Sequence, residues 1–366
     1  MAGCSSFKLT VTKLVVFSLF VFLTVVLHVT SNHLFDVYAV FNKFSSSYSA
    51  ETNNTHGKTF NYRFYNETLN AIQFAPKPVS EHPFRMEEII NPHNFEFVIR
   101  PNVTCSGREV ELAICVVVKG DNHAGRSVIR RTWGSYAKDP NNKAVLLFFI
   151  GSDKTETDKL SARQSRLQKE ALSFGDIVQE NYIDSYRNLS LKTVSVLRWV
   201  NLFCPNAKYI LKVDDDVYVN IPLLIKSLHD FAAQLSPPGP FIFGYLIADN
   251  GPHRDPTSKW HTPYTVYREE KYPNFVSGTA YVMTGEAAVL SYEASLRIPL
   301  FWLEDVYITG LCARKAKVRV YGSNLVYNGK LTASGCTFRT MASGHGYTLE
   351  EIVKIHSELS DPNLKC

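Results

Sequence analysis

Three adjacent aspartates, Asp214, Asp215 and Asp216, follow directly on the apolar run Tyr209-Ile-Leu-Lys-Val213. Like charges in a row repel one another unless water or a cation screens them. Carboxylate oxygens are hard ligands, and alternate side chains at a strand end point the same way. The pattern therefore suits one Mn2+ or Mg2+ ion. The competing reading is a solvated acidic turn, which the apolar Val217-Tyr218-Val219 just beyond makes less natural. A second carboxylate pair, Glu304-Asp305, stands between Trp302 and the apolar stretch VYITGLC. A general base beside a sugar-stacking ring has this composition. Carboxylates also simply favour the positive end of a helix dipole. Spacing alone leaves both readings open.

Two weaker signals accompany these. Arg130 and Arg131 precede Thr132-Trp133-Gly134, and a guanidinium suits bidentate contact with a phosphate. An arginine pair on a helix is also an ordinary solvent face. In YPNFVSGTAY, Gly278 lets backbone approach a bound ligand, although an ordinary turn has the same composition.

The elements that must position these residues are readable from periodicity. LAICVVVK (112–119) and AVLLFFIG (144–151) are continuous apolar runs of strand length, as expected for strands covered on both faces. Helical windows fall at 126–134, 159–174 and 189–203. The alternation predicts an α/β fold with a mostly parallel sheet. After SPPGP (236–240) the order changes to strand, a loop over 249–274 rich in Pro, His, Tyr and Trp, then strand and helix. LEDVYITGLCARKA reads as helical and VRVYGSNLVYN as extended. One catalytic domain over 106–366 is expected, preceded by a polar, aperiodic stem over 31–105 whose end (Phe95, Phe97, Val98, Ile99) is apolar enough to pack on the domain.

The compartment is set by Leu14–Val29, a nearly unbroken apolar run preceded by Lys8 and Lys13 and by no acidic residue. At 1.5 Å per residue it is a short membrane span, and the flanking lysines leave residues 1–13 in the cytosol. A signal-anchor over 14–30 and a lumenal body follow; a cleaved signal peptide is the alternative. Four Asn-x-Ser/Thr tripeptides lie beyond the span, at Asn53, Asn66, Asn102 and Asn188, and read as glycosylation acceptors. Asn188 also stands where a helix cap is expected. Seven cysteines without any CxxC pair argue against a zinc or redox centre. Cys115 reads as a buried thiol, and disulfides are expected among the other lumenal cysteines. The formal net charge of +5, from 39 Lys+Arg against 34 Asp+Glu, gives no basis for nucleic-acid binding.

Six motifs in order, IRRTWG (129–134), FFIG (148–151), DSYRNLSLKT (184–193), KYILKVDDDVYVN (208–220), YPNFVSGTAYVM (272–283) and EDVYITGLC (304–312), resemble the β-1,3-galactosyltransferase-like family of Golgi glycosyltransferases. The resemblance covers residues 109–366 and includes Cys204, Cys312, Cys336 and the terminal LKC. It implies a nucleotide-diphospho-sugar (GT-A type) fold on a single-pass type II Golgi membrane anchor. It also implies a UDP-sugar donor, a glycan acceptor, a divalent metal (Mn2+ or Mg2+) and inversion at the anomeric carbon. Asp216 is then a direct metal ligand, Asp214 and Asp215 serve the metal or the donor ribose, and His345 is the candidate late histidine of the metal shell. Asp305 becomes the base, Glu304 its neighbour of unassigned role, and Trp302 a surface for the acceptor. Transfer of galactose or N-acetylglucosamine to a sugar 3-hydroxyl is the expected activity. The rival class is a catalytically silent relative acting as a chaperone or glycan-binding partner, which intact Asp214–Asp216 and Glu304-Asp305 argue against. Donor, acceptor and oligomeric state are not written in the sequence.

Overall fold

The runs LAICVVV and AVLLFFI become neighbouring parallel strands, β2 (Val110–Val117) and β3 (Ala144–Ser152). From Leu112 onward, residues of β2 alternate between two cores: Ala113, Cys115 and Val117 face one, while Leu112, Ile114 and Val116 face the other. A strand covered on both sides has no polar face to show, hence its unbroken apolar sequence. The computed structural model describes residues 84, 86–101, 105–153 and 162–366. The signal-anchor, most of the stem and Asn53, Asn66 and Asn102 lie outside them. Among the described residues no helix is long and apolar enough to cross a membrane.

The remaining strands are β1 (Phe97–Ile99), β4 (Ile177–Ile183), β5 (Ala207–Asp214), β6 (Val217–Val219), β7 (Phe241–Ile247), β8 (Phe275–Thr284), β9 (Arg319–Gly322) and β10 (Ser343–His345). Of the ten strands among the described residues, eight form one sheet in the order β1-β4-β3-β2-β5-β8-β7-β9, while β6 and β10 pair separately. The segment β4-β3-β2-β5 is parallel, and β8 runs antiparallel between β5 and β7. The sheet is thus mixed and mainly parallel, as expected.

Helices α1 (His123–Arg131), α2 (Ala162–Phe174), α3 (Leu189–Phe203), α4 (Ile221–Ala232), α5 (Gly285–Ser295) and α6 (Leu349–Leu359) cover the sheet. Their starts follow capping chemistry. Asn122 accepts from Gly125 N on α1, Asn220 from Leu223 N on α4, and Thr348 with Glu351 forms a reciprocal box on α6. Asn188 stands before α3 without capping it; its side-chain amide instead donates to Ile183 O at 2.7 Å.

The structure corrects the sequence reading in two places and extends it in a third. Strand β1 pairs antiparallel with β4, so the apolar end of the stem packs on the domain through a sheet edge. His93 reinforces that edge, 2.6 Å from the buried Glu180 carboxylate. Disulfides join Cys105 to Cys204 and Cys336 to Cys366, but Cys312 is a buried free thiol like Cys115. Finally, the segment after Glu304-Asp305 is not a regular α-helix. It opens into a wide π-helix over Val306–Cys312 before one α-turn at Ala313–Ala316.

Candidate active site

Strand β5 ends at Asp214, and the tight turn Asp215-Asp216 leads into β6. Strand β10 runs antiparallel to β6 with His345 opposite Val217, which delivers the imidazole to the turn. The amides of Gly346 and Tyr347 both donate to Asp216 O at 3.0 Å and fix that approach. One ligand atom each from Asp214, Asp216 and His345 lies within 4.8 Å of the others. His345 Nε2 is 3.2 Å from Asp216 Oδ2, and this contact holds the imidazole pKa above its ordinary value. Two carboxylates and one imidazole are a donor set suited to one divalent metal ion. Asp215 turns elsewhere: Asn122 Nδ2 donates to its Oδ2 at 2.6 Å, tying it to the loop before α1.

Beside this cluster lies a buried polar knot. Lys212, 4 % exposed, donates to Asp214 Oδ1 at 2.8 Å, to the Gly278 carbonyl, and to Glu304 Oε2 at 3.4 Å. Glu304 Oε1 also accepts from Tyr281 Oη at 2.7 Å and Thr193 Oγ1 at 2.9 Å. Both Glu304 oxygens are therefore engaged, which separates its place from that of its neighbour. Asp305 accepts from Val306 N at 2.8 Å. Burial, then the nearby Glu304 charge, pushes the Asp305 carboxyl up to about 6. Burial also raises Asp214 to about 6, even though Lys212 opposes the shift. A Cβ on Gly278 would stand 2.8 Å from Glu304 Oε2 and 3.4 Å from Asp305 Cβ. A side chain there would force the Glu304 carboxylate to shift. Thr309 clamps the wide helix to the same strand, donating to Asp305 O at 2.6 Å and accepting from Val276 N at 3.0 Å.

Asp214, Glu304, Asp305, His345 and Gly278 all line one cavity of about 550 Å3. Its wall includes the aromatic rings of Tyr186, Trp260, Tyr272 and Trp302, together with Lys259. Arg187 lies 3.9 Å over the Trp302 ring, and Lys259 lies 4.4 Å over Tyr186. The loop carrying Trp260 is preshaped by Arg254, which donates to the carbonyls of Thr262, Tyr267 and Glu269. Aromatic faces bind the apolar faces of sugars, and cation contacts hold those rings in place.

The sequence expectation for the arginine pair is not met at Arg130. Its guanidinium is buried, donating to Asp176 at 2.7 and 2.8 Å and to Glu170 at 2.7 Å, between the rings of Phe148 and Phe174. Each guanidinium nitrogen donates to one of the domain's own carboxylates, so Arg130 ties α1 to α2 and to the loop before β4 rather than to a phosphate. Arg131 faces solvent. Sequence reasoning overlooked Lys212, Tyr281, Thr193 and Asn122. For Lys212 a signal existed: a charge inside the apolar run YILKV has no reason to be there without buried acceptors.

Comparison with known proteins agrees with the motif resemblance. The galactosyltransferase family profile matches residues 124–324. β-1,3-galactosyltransferase 1 of Homo sapiens is 35 % identical over 278 residues, covering 76 % of this chain and 82 % of that protein. UDP-GalNAc:beta-1,3-N-acetylgalactosaminyltransferase 1 of Homo sapiens is 32 % identical over 269 residues, covering 73 % and 79 %. Among solved structures, galactosyltransferase LgtC with donor and acceptor sugar analogs aligns over 68 % of this chain and 96 % of its own, with 12 % identity and a TM-score of 0.34.

Proposed function

The chain belongs to the galactosyltransferase family, and from that premise we propose that it is an inverting β-1,3-hexosyltransferase of GT-A type. In this reading it takes galactose or an N-acetylhexosamine from a UDP-sugar and places it on the 3-hydroxyl of an acceptor glycan. One observation carries the reading: Asp305 lines the same cavity as Asp214 and His345, which cluster with Asp216, and that cavity has aromatic residues in its wall.

The acceptor sugar rests against Trp302 and Trp260 with its 3-hydroxyl toward Asp305. As the acceptor oxygen forms its bond to the anomeric carbon, the bond from that carbon to the diphosphate breaks. The hydroxyl proton passes to the Asp305 carboxylate, and UDP departs on the opposite face. Single displacement inverts the anomeric centre without a covalent enzyme intermediate. Asp305 suits this role because a base works best with a pKa not far below the working pH. Asp214, Asp216 and His345 would hold a Mn2+ or Mg2+ ion, which would supply charge neutralisation for the diphosphate. Asp215, fixed by Asn122 at the loop between β2 and α1, is placed for the donor ribose, and Gly278 lets the donor approach β8.

We place the protein in the Golgi membrane as a single-pass type II protein anchored by residues 14–30, with Asn53, Asn66, Asn102 and Asn188 as glycosylation acceptors. The test is incubation of the full-length protein in detergent with a panel of UDP-sugars, β-linked acceptor glycosides and Mn2+. Product carrying a new β-1,3 linkage supports the reading. Metal-dependent UDP binding without transfer to any acceptor would point to the silent relative.

A further inference from the structure

Lys212 sits in the centre of the sheet, in register with Cys115 of β2 and Tyr281 of β8, and is almost wholly buried. An unbranched apolar side chain fills such a position without the cost of desolvating a charge. What the ammonium obtains there is three acceptors on three different elements. They are Asp214 at the end of β5, the Gly278 carbonyl within β8, and Glu304 at the head of the wide helix. Glu304 is itself held by Tyr281 of β8 and Thr193 of α3. Asp214 belongs to the metal cluster, and Asp305 is the next residue after Glu304.

We propose that Lys212, anchored by Glu304, is the positioning residue that fixes the spacing between the metal-binding side and the base side of the site. This rests on the transferase reading above and gives Glu304 a role distinct from that of a base. Charge balance alone needs only a cation somewhere near Asp214 and Glu304. The observed arrangement is directional: one nitrogen joins the ligand, the strand and the base-bearing segment. Gly278, whose carbonyl Lys212 holds, is also where a Cβ would meet Glu304.

The experiment compares full-length wild type, Lys212→Met, Lys212→Arg and the double variant Lys212→Met/Glu304→Gln. Melting temperature, Mn2+–UDP affinity by calorimetry, and kcat and KM for transfer are measured on each. Lys212→Met alone leaves Asp214 and Glu304 without a counter-charge and lowers the melting temperature sharply. The double variant removes one charge of each sign, so its melting temperature returns close to wild type. Losing a group that orients a metal ligand costs about 10- to 100-fold in affinity, and weakening of that size is expected in the double variant. A base displaced by an ångström costs about a hundredfold in rate, so kcat falls by that order while acceptor KM moves little. Lys212→Arg keeps the charge but not the compact geometry, and kcat falls at least about tenfold.

A folded double variant, or a folded Lys212→Arg, with wild-type kcat and wild-type Mn2+–UDP affinity would overturn the proposal and leave Lys212 as a charge balancer. If the wild type binds Mn2+–UDP but transfers no hexose, the transferase reading fails separately. The affinity measurement then still decides: weakened binding in the folded double variant supports the positioning role, and unchanged binding overturns it.

Discussion

His345 Nε2 stands 3.2 Å from Asp216 Oδ2 because β10 pairs with β6. That pairing makes a triplet at a strand end into a three-sided ligand set with Asp214. Treatment with EDTA should abolish transfer, and Mn2+ should restore it. His345→Ala should raise the Mn2+ concentration for half-maximal activity by at least about tenfold, with melting temperature nearly unchanged. Activity that survives exhaustive chelation would contradict the metal assignment.

Asp216→Asn keeps the side-chain volume and removes the charge. Mn2+-dependent UDP binding should weaken sharply while the fold survives, since a half-exposed turn residue contributes little core burial. Calorimetry with UDP at fixed Mn2+ checks this; unchanged affinity returns the triplet to a solvated acidic turn.

The raised Asp305 pKa sets an acid limb for transfer. The base must be ionised, so kcat should fall about tenfold per pH unit below about pH 6. A pH–rate profile flat down to pH 5 would rule Asp305 out as the titrating base. The same shift has a stability sign. A folded-state pKa above the unfolded one means that ionising Asp305 costs more in the fold, so its contribution worsens as pH rises from about 4 to about 6. Asp305→Asn should therefore stabilise the protein at pH 7.5, by up to about 3 kcal/mol.

Arg130→Met should be a stability variant. It leaves Glu170 short of one partner and Asp176 without its bidentate one, at a cost of about 3 kcal/mol. Donor KM at a temperature where the variant is folded should stay within about twofold of wild type. A large donor KM effect with an unchanged melting temperature would restore the phosphate role expected from sequence.

These contrasts show where sequence reading reached and where it stopped. Periodicity exposed β2, β3, β5 and α3 because both-face burial and helical spacing leave marks within one segment. The triplet and Glu304-Asp305 were visible because acidic residues beside apolar runs are locally anomalous. Arg130 misled because its partners, Glu170 and Asp176, come from a different helix and the loop after it. Cys312 looked like a bridge partner, yet the two disulfides use four other cysteines. His345 needed the β6–β10 pairing, which no local pattern announces. Family motifs supplied it as a candidate; the sheet supplied the distance.

The central claim is that Asp305 takes the acceptor proton, and its direct test is the transfer rate of Asp305→Asn alongside its Mn2+–UDP affinity. The account predicts a loss of about a hundred- to ten-thousandfold in kcat, with UDP affinity close to wild type. Glu304→Gln in parallel should lower kcat less and lower the melting temperature, because it loosens the buried contacts from Lys212, Tyr281 and Thr193. An Asp305→Asn protein that keeps more than about a tenth of wild-type activity would contradict the assignment and return both carboxylates to helix capping.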